Sequence, residues 1–434
     1  MKSIKLKQIF SRANSKSNKK VLLLSLISSL LLLVLTYLLS NVAIPFNSGE
    51  TSTLKNYEAI KRDLFHIKHQ KNLGWRDSIC LINTSFDKVN VPYCEEGTDV
   101  MSNCSIPIVN RYHLYQLLKS LDSTPSIQYK YILIDLDLSC AQSEYDDSLF
   151  DQIAKMDNIV VSYSNNNFIP DKRLLESNKY GLVDYFKMPY ETGFTKYEFI
   201  NDTFPSFPYK VYSELSNRQI KSFLGLLFFD KGLCHKANPI SYYIIDEDLL
   251  PDTISVEEKE QSFVLNEAET MLNSWNLGYF FNNDTIENKI LTNKTNSKII
   301  VIGDFFGGFD LHDTTIGPQS GALINLNAYL SLCKGKHIVN WGTVFLLFIL
   351  YTIITVYLLK RNTVKQDNIE MLPFFRRLLK SEIFKIILSF ISFTIIFHFI
   401  ALYHYISSDT FYNAWYPSVW FTFVARISPL LNLK

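Results

Sequence analysis

KIIVIGDFFGGFDLHDTTIGPQSGALINLNAYLSLCKGK, residues 298–336, joins a run of branched apolar residues to a polar loop and an apolar segment. Ile299–Ile302 is apolar at every position, as a strand buried on both faces must be. The loop carries Asp304, Asp310, His312 and Asp313 and is broken by Gly303, Gly307, Gly308 and Gly317. A short helix follows, and at Trp341 a long apolar run begins. The last βα unit of a folded domain is therefore wired almost directly to a membrane segment.

The chain has 434 residues, 47% of them hydrophobic, enough for one large domain plus membrane spans. The formal net charge of +1 hides an asymmetry. Lys2, Lys5, Lys7, Arg12, Lys16, Lys19 and Lys20 occupy the first twenty residues, which hold no acid. Val21–Ser40 is nearly unbroken Leu, Ile, Val and Ser, the length of a bilayer core, with no small-residue cleavage site after it. We read residues 1–20 as a cytoplasmic basic tail and 21–40 as a transmembrane anchor, with residue 41 emerging outside. The lysines thus have an explanation in membrane orientation, and no nucleic-acid partner is implied.

Residues 41–340 contain no other spanning stretch and read as an extracytoplasmic α/β domain. Ser48–His69 has a polar helical pattern, and Ser78–Asn83 (SICLIN) fits a buried strand. Phe86–Ile106 reads as irregular. Arg111–Leu121 places Leu114, Leu117, Leu118 and Leu121 on one helical face, with Asn110 as N-cap. Tyr131–Leu138 (YILIDLDL) and Asn158–Tyr163 (NIVVSY) read as strands around a helix at Asp146–Met156. That alternation argues for βαβ units and a mainly parallel sheet. Gly181–Tyr185 and Tyr242–Asp246 read as further strands, and helices are expected within Tyr209–Leu224 and Gln261–Leu277.

Residues 341–359 form a second span, flanked by Lys360 and Arg361. The basic connector 360–385 belongs on the cytoplasmic side. Residues 386–406 return outward as a third span, and 411–427, aromatic and interrupted by Pro417, read as a short fourth span or an interfacial segment. The fold class expected is an α/β extracytoplasmic domain with a mainly parallel sheet, plus one N-terminal and two or three C-terminal membrane helices.

The polar loop invites a chemical reading. At the carboxyl end of an α/β strand, Asp304, Asp310, His312 and Asp313 sit where ligands bind. The same residues also serve to cap the next helix and satisfy loop backbone groups. Carboxylates with imidazole can hold a divalent metal, but we assign no metal, no cofactor and no catalytic residue. Asp135 and Asp137 alternate with apolar residues in a central strand, either joining a site or capping its loop, and Arg111 could neutralise either. His398 lies inside the third span, where a neutral imidazole bonded to a neighbouring helix is expected. All six cysteines fall between the first two spans, without zinc or redox spacing, and Cys94–Cys104 is the easiest disulfide loop to close. G-x-S-x-G, P-loop, H-E-x-x-H and kinase motifs are absent.

Several of these patterns resemble the type-two CHASE family of extracellular sensory domains associated with cyclases and histidine kinases. IIVIGD (Ile299–Asp304), DLHDTTIG (Asp310–Gly317), Gly321 and Asn325–Asn327 are similar to the family's closing strand, loop and helix. IVNRYHLYQLL (Ile108–Leu118) before YILIDLDL is similar to its helix and Asp-bearing strand. GLVDYF (Gly181–Phe186) and FPSFPYKVYSEL (Phe204–Leu215) match more weakly. FFGGF (Phe305–Phe309) and Thr314–Thr315 depart from the pattern, and the cytoplasmic effector domain usual in the family is not expected here.

The resemblance implies an amino-terminal anchor, an extracytoplasmic α/β domain and three following spans, set in a bacterial cytoplasmic membrane. It also implies a sensory protein that binds a small ligand or envelope partner and signals through a separate membrane protein. A structural subunit of an envelope complex is the alternative, and an extracytoplasmic enzyme the third reading.

Overall fold

Alternation along the strands divides the interior into two cores. Ile79, Leu81, Tyr131, Leu133, Ile299 and Val301 belong to one, and Cys80, Ile82, Ile132, Ile134, Ile300 and Ile302 to the other. Side chains of a strand alternate between its faces, so a sheet apolar on both must lie between two helical layers. The computed structural model has that architecture. It describes residues 16–41, 50–65, 77–92, 105–138, 143–164, 171–183, 193–199, 205–245, 249, 274–282, 285–306, 310–361, 381–408 and 411–428.

Among the described residues, six strands form the main sheet: β1 Ile79–Asn83, β2 Tyr131–Asp135, β3 Ile159–Tyr163, β4 Tyr180–Leu182, β5 Ser274–Asn276 and β6 Ile299–Gly303. Their order is β5-β1-β6-β2-β3-β4, and every pairing is parallel. The last strand in sequence is inserted at the centre, where Ile300 faces Cys80 on one side and Ile132 on the other. The helices are α1 Lys16–Ser40, α2 Glu50–Phe65, α3 Arg111–Ser123, α4 Asp146–Lys155, α5 Lys172–Glu176, α6 Phe207–Ser216, α7 Asn288–Thr295, α8 Gly321–Cys333, α9 Trp341–Arg361, α10 Glu382–Ser408 and α11 Trp415–Ile427. Helices α3, α4, α5 and α7 feed one core, and α6 and α8 the other. Asn110 caps α3 as its sequence suggests, its Oδ1 accepting from His113 N at 3.2 Å.

Some local expectations change. Phe86–Ile106 includes most of an antiparallel hairpin, Lys88–Pro92 against Ser105–Val109, because pairing supplies the order its irregular composition conceals. The strand expected to reach Leu138 stops at Asp135, whose carboxyl turns toward α8. Tyr242–Ile245 is no strand: Asn327 Oδ1 accepts from Tyr243 N at 2.7 Å and Ile244 N at 3.0 Å, replacing a ladder. Asp246 and residues 261–273 lie outside the described residues, and Ser274–Asn276 is an edge strand rather than helix. Cys94, Cys104 and Cys140 also lie outside them, while Cys80, Cys234 and Cys333 are free thiols.

Among the described residues, three helices are long and apolar enough to cross a membrane: α1, α9 and α10. Helix α11 has 13 residues, about 20 Å at 1.5 Å per residue, well short of a 30 Å hydrocarbon core. It nonetheless packs among the spans, with Phe421 fully buried beside Leu32, Tyr351 and Phe397. Trp420 Nε1 donates to Ser28 Oγ at 3.0 Å.

Candidate functional site

Helices following neighbouring strands β6 and β2 lie on opposite faces of the sheet: α8 in one layer, α4 in the other. A crevice at the carboxyl ends of such a strand pair is the usual ligand position in an open α/β sheet. Asp135 ends β2 at that edge and pairs in register with Gly303 of β6. Asn325, on the first turns of α8, donates from Nδ2 to Asp135 Oδ2 at 2.8 Å. Tyr197 OH in turn donates to Asn325 Oδ1 at 2.8 Å.

Beside this chain stands a second pair. After Gly303 the polypeptide forms a small hairpin, Leu311–Thr314 against Gly317–Ser320, that delivers Asp310 and His312. His312 Nε2 lies 2.9 Å from Asp310 Oδ1, and its ring sits edge-on to Phe194, 4.9 Å between centroids. Gly321 N donates to the Asp310 carbonyl at 3.0 Å. A Cβ on Gly321 would lie 2.9 Å from the Asp310 carboxyl carbon, so glycine is what lets this carboxylate rest over the α8 N-terminus.

Burial raises the Asp135 carboxyl to about 7, and the nearby Asp310 charge adds to the rise, while hydrogen bonds from Asn325 and Ser162 and the charge of His312 oppose it. The Asp310 hydrogen bond raises the His312 imidazole against its own desolvation. The cluster therefore presents an imidazole held toward its charged form by Asp310, beside a second carboxyl that burial holds toward its protonated form. Such a group suits a small ligand bearing an amine or several hydrogen-bond donors. Among the described residues no three His, Cys, Asp or Glu side chains converge as a metal-ligand set.

The linkage gives a measurable consequence. A carboxyl raised in the folded state contributes fully below about pH 4, where the unfolded chain is protonated too. Its contribution disappears as pH climbs through about 7. Asp135→Asn is expected to flatten the fall in Tm between pH 4 and 8 and to raise Tm at pH 8 by roughly 3–6 °C. His312, whose raised value acts in the same direction, keeps its share of the slope in both proteins, as do the lowered His235 and His337 with the opposite sign. Thermal unfolding of the full chain in detergent at each pH measures it; parallel curves for the two proteins would contradict the assignment.

The remaining expected site residues lie elsewhere. Asp304 accepts from Lys88 Nζ at 2.7 Å and Ser85 Oγ at 2.5 Å, fastening the loop after β1. Asp313 is ion-paired with Lys55 of α2, and its carbonyl accepts from Phe194 N at 2.7 Å. The side chain of Asp137 is exposed. Arg111 donates from Nη2 to the Asp137 carbonyl at 3.3 Å, and its Nε lies 3.4 Å from Asp146 Oδ1, so Asp146 shares the guanidinium. Asn325 and Tyr197 carried too little signal to be picked out as site residues, although an asparagine in the apolar run GALINLNAYL already hints at a buried polar contact.

Helix α2 ties this edge to the membrane region. Its Glu50 forms a buried ion pair with Lys196, and Thr51 Oγ1 lies 3.4 Å from Thr195 Oγ1. Tyr57 OH sits 2.7 Å from His398 Nδ1 and 3.1 Å from the His398 carbonyl in α10. Tyr405 OH donates to Glu58 at 2.9 Å. The imidazole in the third span is thus hydrogen-bonded to a neighbouring helix, which packs its Leu54 and Tyr57 on α10 and is bonded to the α/β domain through Glu50, Thr51 and Lys55. No protein-family model, curated protein or solved structure matches this chain.

Proposed function

We propose that this chain is a membrane-anchored sensory protein. Its α/β domain stands on the extracytoplasmic side of a bacterial cytoplasmic membrane and binds a small cationic or donor-rich ligand at Asp135, Asp310, His312 and Asn325. The role is binding rather than catalysis, and the signal leaves through the spans to a separate membrane protein. One observation carries the reading: Lys55 and Tyr57, two residues apart on α2, hold the hairpin of His312 and the span α10 respectively. Residues two apart on a helix point to nearly opposite sides, so a shift of the hairpin pushes one helix against another. A second route is the link from α8 to α9. Gly335 turns there with φ +70, and Val339 N donates to Leu233 O at 2.7 Å, leaving little slack before Trp341. The basic residues at 1–20 and at Lys360–Arg361 support the orientation.

The test is a thermal-shift screen of the full chain in detergent against amines, amino acids and sugars. At least one compound is expected to raise Tm by more than 2 °C, and the shift is expected to vanish in His312→Ala. Hydrogen exchange in the outer turns of α10 should change with that compound in the parent protein and not in Tyr57→Phe. A screen without hits, together with a partner that co-purifies under all growth conditions, would favour a structural subunit instead.

A further inference from the structure

A second apolar surface belongs to neither the cores nor the spans. Residues 221–229, KSFLGLLFF, form two strands, Lys221–Phe223 and Leu227–Phe229, of a three-stranded antiparallel sheet closed by Leu233–Cys234. At the tip, Leu224 is 78% exposed, Phe223 58% and Leu226 52% among the described residues. Apolar side chains gathered at one exposed tip mark a contact with something other than water.

The turn itself argues the same way. Leu224 and Gly225 both have positive φ, +56 and +65. Asn, Asp or Gly normally fills such positions, because a Cβ is disfavoured there. A leucine kept in the left-handed region at an exposed tip implies that its apolar side chain is wanted.

The position of the sheet identifies the occupant. Tyr37, in the last turns of span α1, donates from its hydroxyl to Cys234 O at 2.7 Å. Lys236 N donates to Asn41 Oδ1, just past the end of that helix, at 2.9 Å. On the sheet's other side, Cys234 bridges Ile338, and Leu233 O accepts from Val339 N. Trp341, two residues beyond Val339 and 63% exposed, opens span α9. Tyr and Trp at helix ends settle at the membrane–water boundary. The sheet is thus tied at that level to the ends of both spans.

We infer that the Phe223–Leu226 tip is a lipid contact, seated in the headgroup–acyl boundary of the leaflet on the domain's side. Lys221, exposed at its base, meets the phosphates while the tip meets the acyl chains. The tip fixes the tilt of the α/β domain on the membrane independently of any ligand at the sheet edge.

Photocrosslinking tests this. The full chain carrying Leu224→p-benzoylphenylalanine is reconstituted in vesicles of phosphatidylethanolamine and phosphatidylglycerol, irradiated and weighed by mass spectrometry. Phe345, 65% exposed in span α9, carries the same probe as a reference. Phospholipid adducts at 224 are expected at one-fifth of the reference yield or more. With the probe moved to Leu226, adding Leu224→Asp is expected to lower the yield at least threefold. An adduct to a second copy of the chain, or a lipid yield below one-fifth of the reference, overturns the inference. Phe223→p-benzoylphenylalanine replaces the first variant if that one does not fold, under the same criterion.

Discussion

Glu50→Ala is expected to destabilise the full chain by about 3–5 kcal/mol. Glu50 and Lys196 are ion-paired with side chains only 3% and 5% exposed. Removing the carboxylate leaves an ammonium in a site that water barely reaches, with the Phe411 ring 5.3 Å away. The cost is mainly that of keeping the Lys196 charge buried without this carboxylate, because a buried pair as a whole contributes little. Lys196→Met alone should therefore also destabilise, by a similar amount. Glu50→Leu combined with Lys196→Met should recover most of the loss. Denaturant unfolding in detergent decides it; a loss below about 1 kcal/mol in both single variants would show that water screens the pair as at a surface. The consequence reaches function, since this pair fixes the start of α2, the helix between the candidate site and α10.

Gly303→Ala is expected to cost about 2 kcal/mol and to lower Tm by roughly 4–8 °C. The glycine ends the central strand, and a Cβ there would stand 2.6 Å from the Ala322 Cβ on α8. Neither atom can swing aside: one belongs to a strand paired on both edges, the other to a buried helix. The same approach sets the distance between Asp135 and Asn325, so the variant should also weaken ligand stabilisation. Adding Ala322→Gly reopens the space and should restore much of the Tm, less the cost of a glycine within a helix. A Tm change under 2 °C for Gly303→Ala would mean that α8 shifts freely, and would remove the argument for a rigid site wall.

How much of this was legible beforehand follows from the range over which each feature is decided. Val21–Ser40, Trp341–Leu359 and the run around Ile386–Tyr405 were readable because a bilayer core demands a long apolar run from one segment. The α3, α4 and central-strand assignments were readable for a similar reason: periodicity and capping are local. Asn110 before Arg111 and the unbroken apolar residues of Ile299–Ile302 needed no partner to be interpreted. Tyr242–Ile245 misled because apolar content alone suggests a strand, whereas a single distant asparagine bonds its backbone.

The amino-acid sequence by itself thus determined the membrane helices, the βα alternation and the acidic edge residues. Tertiary structure alone decided which of those residues meet. Asp135 and Asn325 are 190 positions apart, and Lys55 and Asp313 are 258 apart. Insertion of the last strand between β1 and β2 brings the first pair together, and docking of α2 on the hairpin brings the second. Strand order and helix docking are chosen by burial summed over the whole domain, so no local pattern could announce that Asp135 and Asp310 would share an edge while Asp304 and Asp313 went to lysines.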